Sequence, residues 1–250
     1  MNKQAFVTAI LAALAVVLAA VGVLCGSVYG VATDEALYGS QSRQAVAQML
    51  GTQEDAAVTA YIGLDAAQQQ EIATSLAQYM GSDGELPQAL DLLNERERAH
   101  LADVRGLMAL CGAARTVCIS VAAVLAVAAA WMGAMFAHRR SSVLAGAAGG
   151  LCVLALIAAA LVLGMRTAGF EGLFVGMHEL LFDNDLWLLN PDTDILIRMM
   201  PQTLFERAAV DVIRQSAGVF VLVLVLLGVV YDVMSGMIGR HFTNRRGQEC

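Results

Sequence analysis

Four long runs without charge constrain this chain more than anything else in it. Gln4 to Thr33, Thr116 to Ala137 and Ser141 to Met165 contain no Asp, Glu, Lys or Arg, and Gln215 to Tyr231 continues past a lone Asp232 to Gly239. A helix that crosses a bilayer needs about 20 mostly apolar residues. In lipid only helices and closed barrels satisfy every backbone group, and these runs have helix length, not the alternation of short barrel strands. The chain therefore reads as an all-α membrane protein with four transmembrane helices, at 5–33, 106–138, 141–165 and 213–239. Composition agrees: 15% of residues are charged, where a soluble domain averages about 25%. The first run could be a secretory signal, but it reads better as a retained span. Cys25 in "VGVLCGS" suggests a lipoprotein site, but Leu24 stands where a small residue is wanted. The run is also longer than the roughly 7–15 apolar residues of a signal core.

Charge sets the orientation. Lys3 precedes the first span, Arg139 and Arg140 separate the second and third, and Arg240, Arg245 and Arg246 follow the fourth. The excess of basic residues on cytoplasmic loops puts all three stretches, and both termini, inside. The opposite face receives 34–105, with twelve acidic residues against four arginines, and 166–211, with eight against three. The net charge of −7 is thus an average over a basic inner and an acidic outer side. No basic patch points to nucleic acid. The cysteines have neither disulfide-framework nor zinc spacing, and Cys111, Cys118 and Cys152 in the spans read as small hydrophobes.

The outer segment 34–105 reads as a helical cap. Asp65 is a candidate N-cap for a helix with Ile72, Leu76 and Met80 on one face. "GSDGELP" is turn chemistry. Asn94 and Glu97 have capping-box spacing at the start of a helix with no proline before the second span. The second outer segment, 166–211, is less regular: "DND", "NPD" and Pro201 interrupt it. Its apolar stretch from Asp194 lies on the bilayer surface or on the cap, and Asp194 and Arg198, four apart, can pair if helical. Gly146 and Gly150 in the third span have the small-xxx-small spacing of close helix contact. Residues 240–250 form a cytoplasmic tail.

Chemistry concentrates on the outer side. His138 and His241 flank the cytoplasmic arginines, but His100 and His178 fall one in each outer segment. Histidine titrates near neutral pH and suits general acid–base work. Asp103, three residues after His100, shares its helix face; Glu179, Asp183 and Asp185 follow His178. Two imidazoles meeting above the bilayer can serve an acyl transfer. Each can equally be an ordinary surface histidine. His100, His178 and an aspartate can also make an open zinc site, though without a recognised ligand spacing; neither metal nor cofactor is expected. Cys111, about three helical turns after His100, is a possible acyl acceptor but a better packing residue. Arg115, alone in an apolar stretch, is a candidate to bind an anion or ester oxygen, or it snorkels to the headgroups. Trp187, among Leu186, Leu188 and Leu189, suits the membrane interface.

Taken together, "RERAHLADVRGL" and "MHELLFDNDLWLLNPDTDILIRMMPQTLF" resemble the lipoprotein intramolecular transacylase family, bacterial four-span membrane proteins. The matching elements are His100, Asp103 and Val104, then His178, Trp187, Asp194, Leu196, Ile197 and Pro201. The resemblance implies an acyltransferase in the bacterial cytoplasmic membrane. Its substrate is a diacylglyceryl-modified bacterial lipoprotein, held in membrane lipid, with a free α-amine. The enzyme moves the sn-2 acyl chain from glycerol to that amine, giving an N-acyl, S-monoacylglyceryl (lyso) lipoprotein. His100 and His178 are then the catalytic imidazoles, and Asp103 orients His100. Arg105, Arg115, Asp185, Trp187, Asp194 and Arg198 are candidates to bind substrate or support the site. One geometric difficulty follows. A second span counted back from Arg139 leaves His100 about 27 Å further out along a straight helix at 1.5 Å per residue. A deeper helix, with Arg115 in a polar cavity, or a bend near Gly106 and Gly112 resolves it. The competing readings are a non-enzymatic sensor or assembly partner with an acidic cap, and a metal-dependent membrane hydrolase. A transporter fits less well, since spans one and three carry no internal charge and no inverted repeat is visible.

Overall fold

The computed structural model describes residues 3–135 and 140–246; His138, Arg139 and Cys250, named above, lie outside them. Its regular structure is helical, as expected, and its long helices are α1 (Lys3–Ala32), α5 (Glu95–Met135), α6 (Arg140–Leu181) and α8 (Gln202–Arg246). Each is long and apolar enough to cross a membrane, and the chain is a multi-pass membrane protein. Short helices fill the intervals: α2 (Ser42–Leu50), α3 (Asp55–Ile62), α4 (Ala66–Gly81) and α7 (Ile195–Met199). The long helices outrun the spans read from the sequence, because the charged stretches 95–105 and 166–181 are helical too.

The chain divides into two compact units. One comprises α1 up to Cys25, the described part of Ala114–Leu163, and α8 from Gln215. Large apolar side chains such as Leu156, Leu161 and Val225 are exposed on its protein surface. On helices of this length and composition, lipid is what covers them. The expected small-residue contact is present. A Cβ built on Gly146 would sit 2.0 Å from the Ala9 carbonyl oxygen, and one on Gly150 would sit 2.9 Å from that of Ala13. Only glycine lets α6 come so close to the backbone of α1.

The other unit comprises Gly26–Ala113 and Gly164–Arg214, and contains the segments 34–105 and 166–211 that the sequence reading assigns to the outer side; this is the cap unit. Its core packs Ile72, Leu76 and Met80 of α4 with Leu196 and Met199 of α7 and Leu204 of α8. Asp65 caps α4 by accepting the Gln68 N–H at 2.9 Å, while the Gln68 side chain accepts the Asp65 N–H at 3.0 Å. The apolar stretch after Asp194 therefore packs into this core. Pro201 separates α7 from α8, where the Leu204 N–H donates to its carbonyl at 2.9 Å. Inside α6, Gly169 has φ 70° and ψ −178°, a conformation open essentially to glycine alone. The helix breaks there, and 170–181 takes its own direction.

Candidate active site

His100 and His178 come from different helices of the cap unit and lie with ring centroids 6.2 Å apart. The capping box sets where the first one falls. The Asn94 side chain accepts the Glu97 N–H at 3.0 Å, and Glu97 accepts the Asn94 N–H at 2.9 Å. This starts α5, and His100 follows one turn later. The second imidazole sits near the end of α6. Phe174, His178 and Phe182 are spaced four apart on one face, and the Phe182 N–H donates to the His178 carbonyl at 2.9 Å.

Aromatic rings surround His178. Phe174 lies 4.2 Å away, Trp187 4.9 Å and Phe182 5.6 Å, by ring centroids. Phe182 also meets the edge of His100 at 5.5 Å, and Phe174 reaches Phe205 of α8 at 5.1 Å. Only 8% of His178 is exposed. Its Nδ1 lies 2.7 Å from the Phe174 carbonyl oxygen. A carbonyl can only accept, so Nδ1 carries a proton, and in the neutral ring Nε2 is the nitrogen with the lone pair.

His100 lies on the charged first turns of α5, ahead of the uncharged stretch that crosses the membrane. Its Nδ1 is buried without a hydrogen-bond partner. Burial first, and the nearby His178 second, push its pKa from 6.5 down to about 4, against the opposing pull of Asp103. Hydrogen-bonded orientation by Asp103 is not what the geometry gives. The Asp103 carboxylate accepts from the Asn184 side chain at 3.0 Å. The shared helix face brings acid and imidazole near each other; Asn184 takes one carboxylate oxygen, and the acid acts on His100 through its charge.

The loop 182–194 closes the site. Its turns are made by asparagines: the Asn184 side chain accepts the Leu186 N–H, and that of Asn190 accepts the Asp192 N–H, both at 3.0 Å. The Trp187 indole N–H donates to the Asn184 carbonyl at 3.1 Å. Trp187 is therefore half-buried on His178 and does not serve only as a membrane-interface residue. Asp185 forms an ion pair with Arg96 at 3.5 Å, and Arg96 also donates to its carbonyl.

The remaining expected residues separate. Asp194 is 4% exposed and does not pair with Arg198. Its carboxylate accepts from Asn94 at 2.9 Å, from Thr193 at 2.7 Å and from the Asn190 N–H at 2.7 Å. Burial acts to raise its pKa, but these donors and the charge of Arg96 hold it below the usual carboxylate range. Arg198, on α7, puts its guanidinium against Gly63, and its Nε is buried without a partner. Arg105 lies over the Tyr79 ring at 4.8 Å and donates to the Gly84 carbonyl at 2.7 Å; it ties the cap together and is not part of the imidazole cluster. Arg115 belongs to the other unit and is exposed at its surface, not enclosed in a polar cavity. Phe174, Phe182, Asn184 and Arg96 were not legible as site residues; Phe174 and Phe182 carried a signal only through their spacing of four from His178.

A cavity of about 190 Å³ is lined by Asp103, Gly106, Leu107, Leu181, Phe182, Asp183 and Asn184. It joins apolar walls to carboxylates, and Phe182, which lines it, meets the His100 ring at 5.5 Å and the His178 ring at 5.6 Å. A larger hollow of about 490 Å³, at Gln41, Gln44, Glu206, Arg207, Val210 and Asp211, shares no residue with the groups around the imidazoles and is the weaker candidate despite its size. Among the described residues, no group of three or more His, Cys, Asp or Glu side chains gathers. The metal-dependent reading therefore has no ligand set there.

Comparison with known proteins adds an independent line. The in meso structure of the membrane integral lipoprotein intramolecular transacylase Lit from Bacillus cereus superposes with a TM-score of 0.61 at 17% identity, covering 99% of this chain and 100% of that one. A histidine-to-alanine variant of the same Bacillus cereus protein gives a TM-score of 0.61 at 18% identity, over 90% and 93% of the two chains. At these identities the likeness establishes the fold. The sequence matches no curated protein. The family model for the lipoprotein intramolecular transacylase Lit matches residues 10–205, which takes in both imidazoles and the loop between α6 and α7, and the chain belongs to that family.

Proposed function

We propose that this protein transfers the sn-2 acyl chain of a diacylglyceryl-cysteine lipoprotein to the α-amine of the same cysteine, on the extracytoplasmic face of the membrane. Membership of a transacylase family makes the general activity acyl transfer. The observation that carries the specific reading is the pair of imidazoles 6.2 Å apart, in unlike surroundings.

His178 has the geometry of a proton shuttle. With Nδ1–H committed to the Phe174 carbonyl, Nε2 is left to accept. The amine nitrogen attacks the ester carbonyl carbon, and a C–N bond forms as the carbonyl becomes an oxyanion. Nε2 takes the proton that the nitrogen sheds. The intermediate collapses, the bond to the glycerol oxygen breaks, and the same proton passes from His178 to that oxygen. No proton is gained or lost overall, and no acyl-enzyme is needed, so Cys111 has no covalent role.

His100 suits a different task. A pKa near 4 makes it a poor base at neutral pH and keeps it an uncharged N–H donor. A neutral imidazole can hydrogen-bond an oxyanion, much as suppressed histidines do in other active sites. The cavity beside it offers Leu107, Leu181 and Phe182 to an acyl chain and Asp103 and Asp183 to an ammonium. Holding amine and ester together then supplies much of the acceleration.

The two roles predict different losses. With a reporter lipoprotein in diacylglyceryl form, His178→Ala is expected to slow conversion by about 10²- to 10⁴-fold. His100→Ala is expected to slow it by about 10²- to 10³-fold, and His100→Gln, which keeps an N–H donor, by less. Mass spectrometry of the N-terminal lipopeptide reads all three. Wild-type conversion by either alanine variant contradicts the assignment.

A further inference from the structure

Two buried carboxylates join the start of α5 to the far end of the loop that closes the site. Glu97, 1% exposed, accepts the Asn94 N–H with one oxygen at 2.9 Å and the Leu196 N–H with the other at 2.6 Å. The capping box of α5 is therefore also the anchor of α7. Asp194 completes the joint from the other side. It accepts from the Asn94 side chain, and it folds the turn 190–194 by taking the Asn190 N–H and the Thr193 hydroxyl. Two chain segments far apart in sequence, 94–97 and 190–196, meet here through Asn94, Glu97, Asp194 and Leu196.

The joint lies one helical turn before His100. The loop it anchors starts directly after α6, whose last turn holds His178. At the near end of that loop, Asn184 bonds Asp103 and supports Trp187 against His178. The Arg96–Asp185 tie in the middle is partly open to solvent, with Asp185 76% exposed, and exposed pairs hold little. We propose that Glu97 and Asp194 are positioning residues for the transacylation, fixing the loop so that Trp187 and Asn184 hold His178 and Asp103 against His100. This rests on the acyl-transfer reading above.

The chemistry of the joint makes it sensitive to isosteric change. Each oxygen of Glu97 faces an N–H donor. Glutamine offers one oxygen and one amide NH₂, so one backbone N–H would then face another donor in a buried place, where an unmet polar group is costly. Asp194→Asn creates the same conflict, because both of its oxygens already accept. Neither change alters volume, and neither residue lies in the imidazole cluster. A displacement of about 1 Å at a reacting centre costs on the order of 10²-fold in rate.

The test uses the full-length protein in proteoliposomes, with diacylglyceryl lipopeptide as substrate and Trp131→Phe as background, so that Trp187 is the only indole. Glu97→Gln and Asp194→Asn are each expected to lower kcat by about tenfold to a hundredfold with KM unchanged. Trp187 emission should shift to the red as the indole leaves His178. Glu97→Asp, which keeps two acceptor oxygens on a shorter stem, should recover part of both signals. Wild-type kcat in both isosteric variants overturns the proposal, as does a kcat loss with unmoved Trp187 emission. A change of emission without loss of kcat also overturns it, leaving the joint structural only. If Glu97→Gln does not fold, Asp194→Asn decides, since it leaves the capping box intact. If the parent converts nothing, the acyl-transfer reading fails by itself, while Trp187 emission still reports whether the joint fixes the loop.

Discussion

His100 and His178 are the same residue type in opposed situations. One has its ring N–H committed to a backbone carbonyl; the other has a buried nitrogen with no partner. The sign of each neighbour's effect on His100 can be measured. Removing His178 takes away a repulsion, so His178→Ala should raise the pKa of His100 from about 4. Asp103 favours the protonated ring, so Asp103→Asn should lower it further. NMR of ring-labelled histidine in micelles reads both, and movement in the opposite directions contradicts the electrostatic account. Because the pKa is lowered, His100 stays neutral between about 4 and the ordinary 6.5. Conversion should therefore show no acid limb from this residue in that interval. At this scale the sequence was partly legible. Both imidazoles and Asp103 could be named from residue type and spacing. The partner of Asp103 could not, because Asn184 arrives from a loop whose path depends on tertiary contacts. Arg105 and Arg198 turn to Tyr79 and Gly63 instead of to the imidazoles, and a charge near a motif says nothing of which way its long side chain turns.

Among the elements, α5 and α6 decide where the imidazoles fall. Helix α5 was legible almost entirely, since the Asn94–Glu97 spacing marks its start and no proline ends it. That Glu97 also serves Leu196, ninety-nine residues away, was not legible, because a capping box seen in sequence is local. The break in α6 was hidden among ordinary glycines. Gly169 is one of several in and after the third span, and only its φ of 70° sets it apart. A Cβ at Gly169 would meet open space, so the cost of Gly169→Ala is backbone strain alone, about 1–3 kcal/mol. Thermal unfolding in detergent should show that loss. An unchanged Tm contradicts a strained break. Gly146 behaves in the opposite way: its φ is ordinary, and it is the approach of the Ala9 carbonyl that forbids a side chain, as the spacing with Gly150 foretold.

For the molecule as a whole, composition was enough to give the class. Uncharged runs of spanning length predict four helices, and four are present among the described residues. Their full extent was not predictable from hydropathy, because the charged turns at 95–105 belong to α5 and helix resumes over 170–181 beyond the break at Gly169. The family resemblance rested on two short elements far apart in sequence, and those elements supply His100, Phe182 and Trp187 around His178, while Phe174 lies outside them. The central claim is that one lipoprotein molecule both gives and receives the acyl chain. It is tested most directly by a crossover experiment. Two reporter lipopeptides that differ in peptide mass, one with heavy-isotope and one with light acyl chains, are mixed with the protein in the same liposomes. The account predicts N-acyl, S-monoacylglyceryl products in which each peptide keeps its own isotope at the amine. Scrambled isotopes would contradict an intramolecular transfer, and diacylglyceryl peptides left unchanged by folded protein would contradict the activity itself.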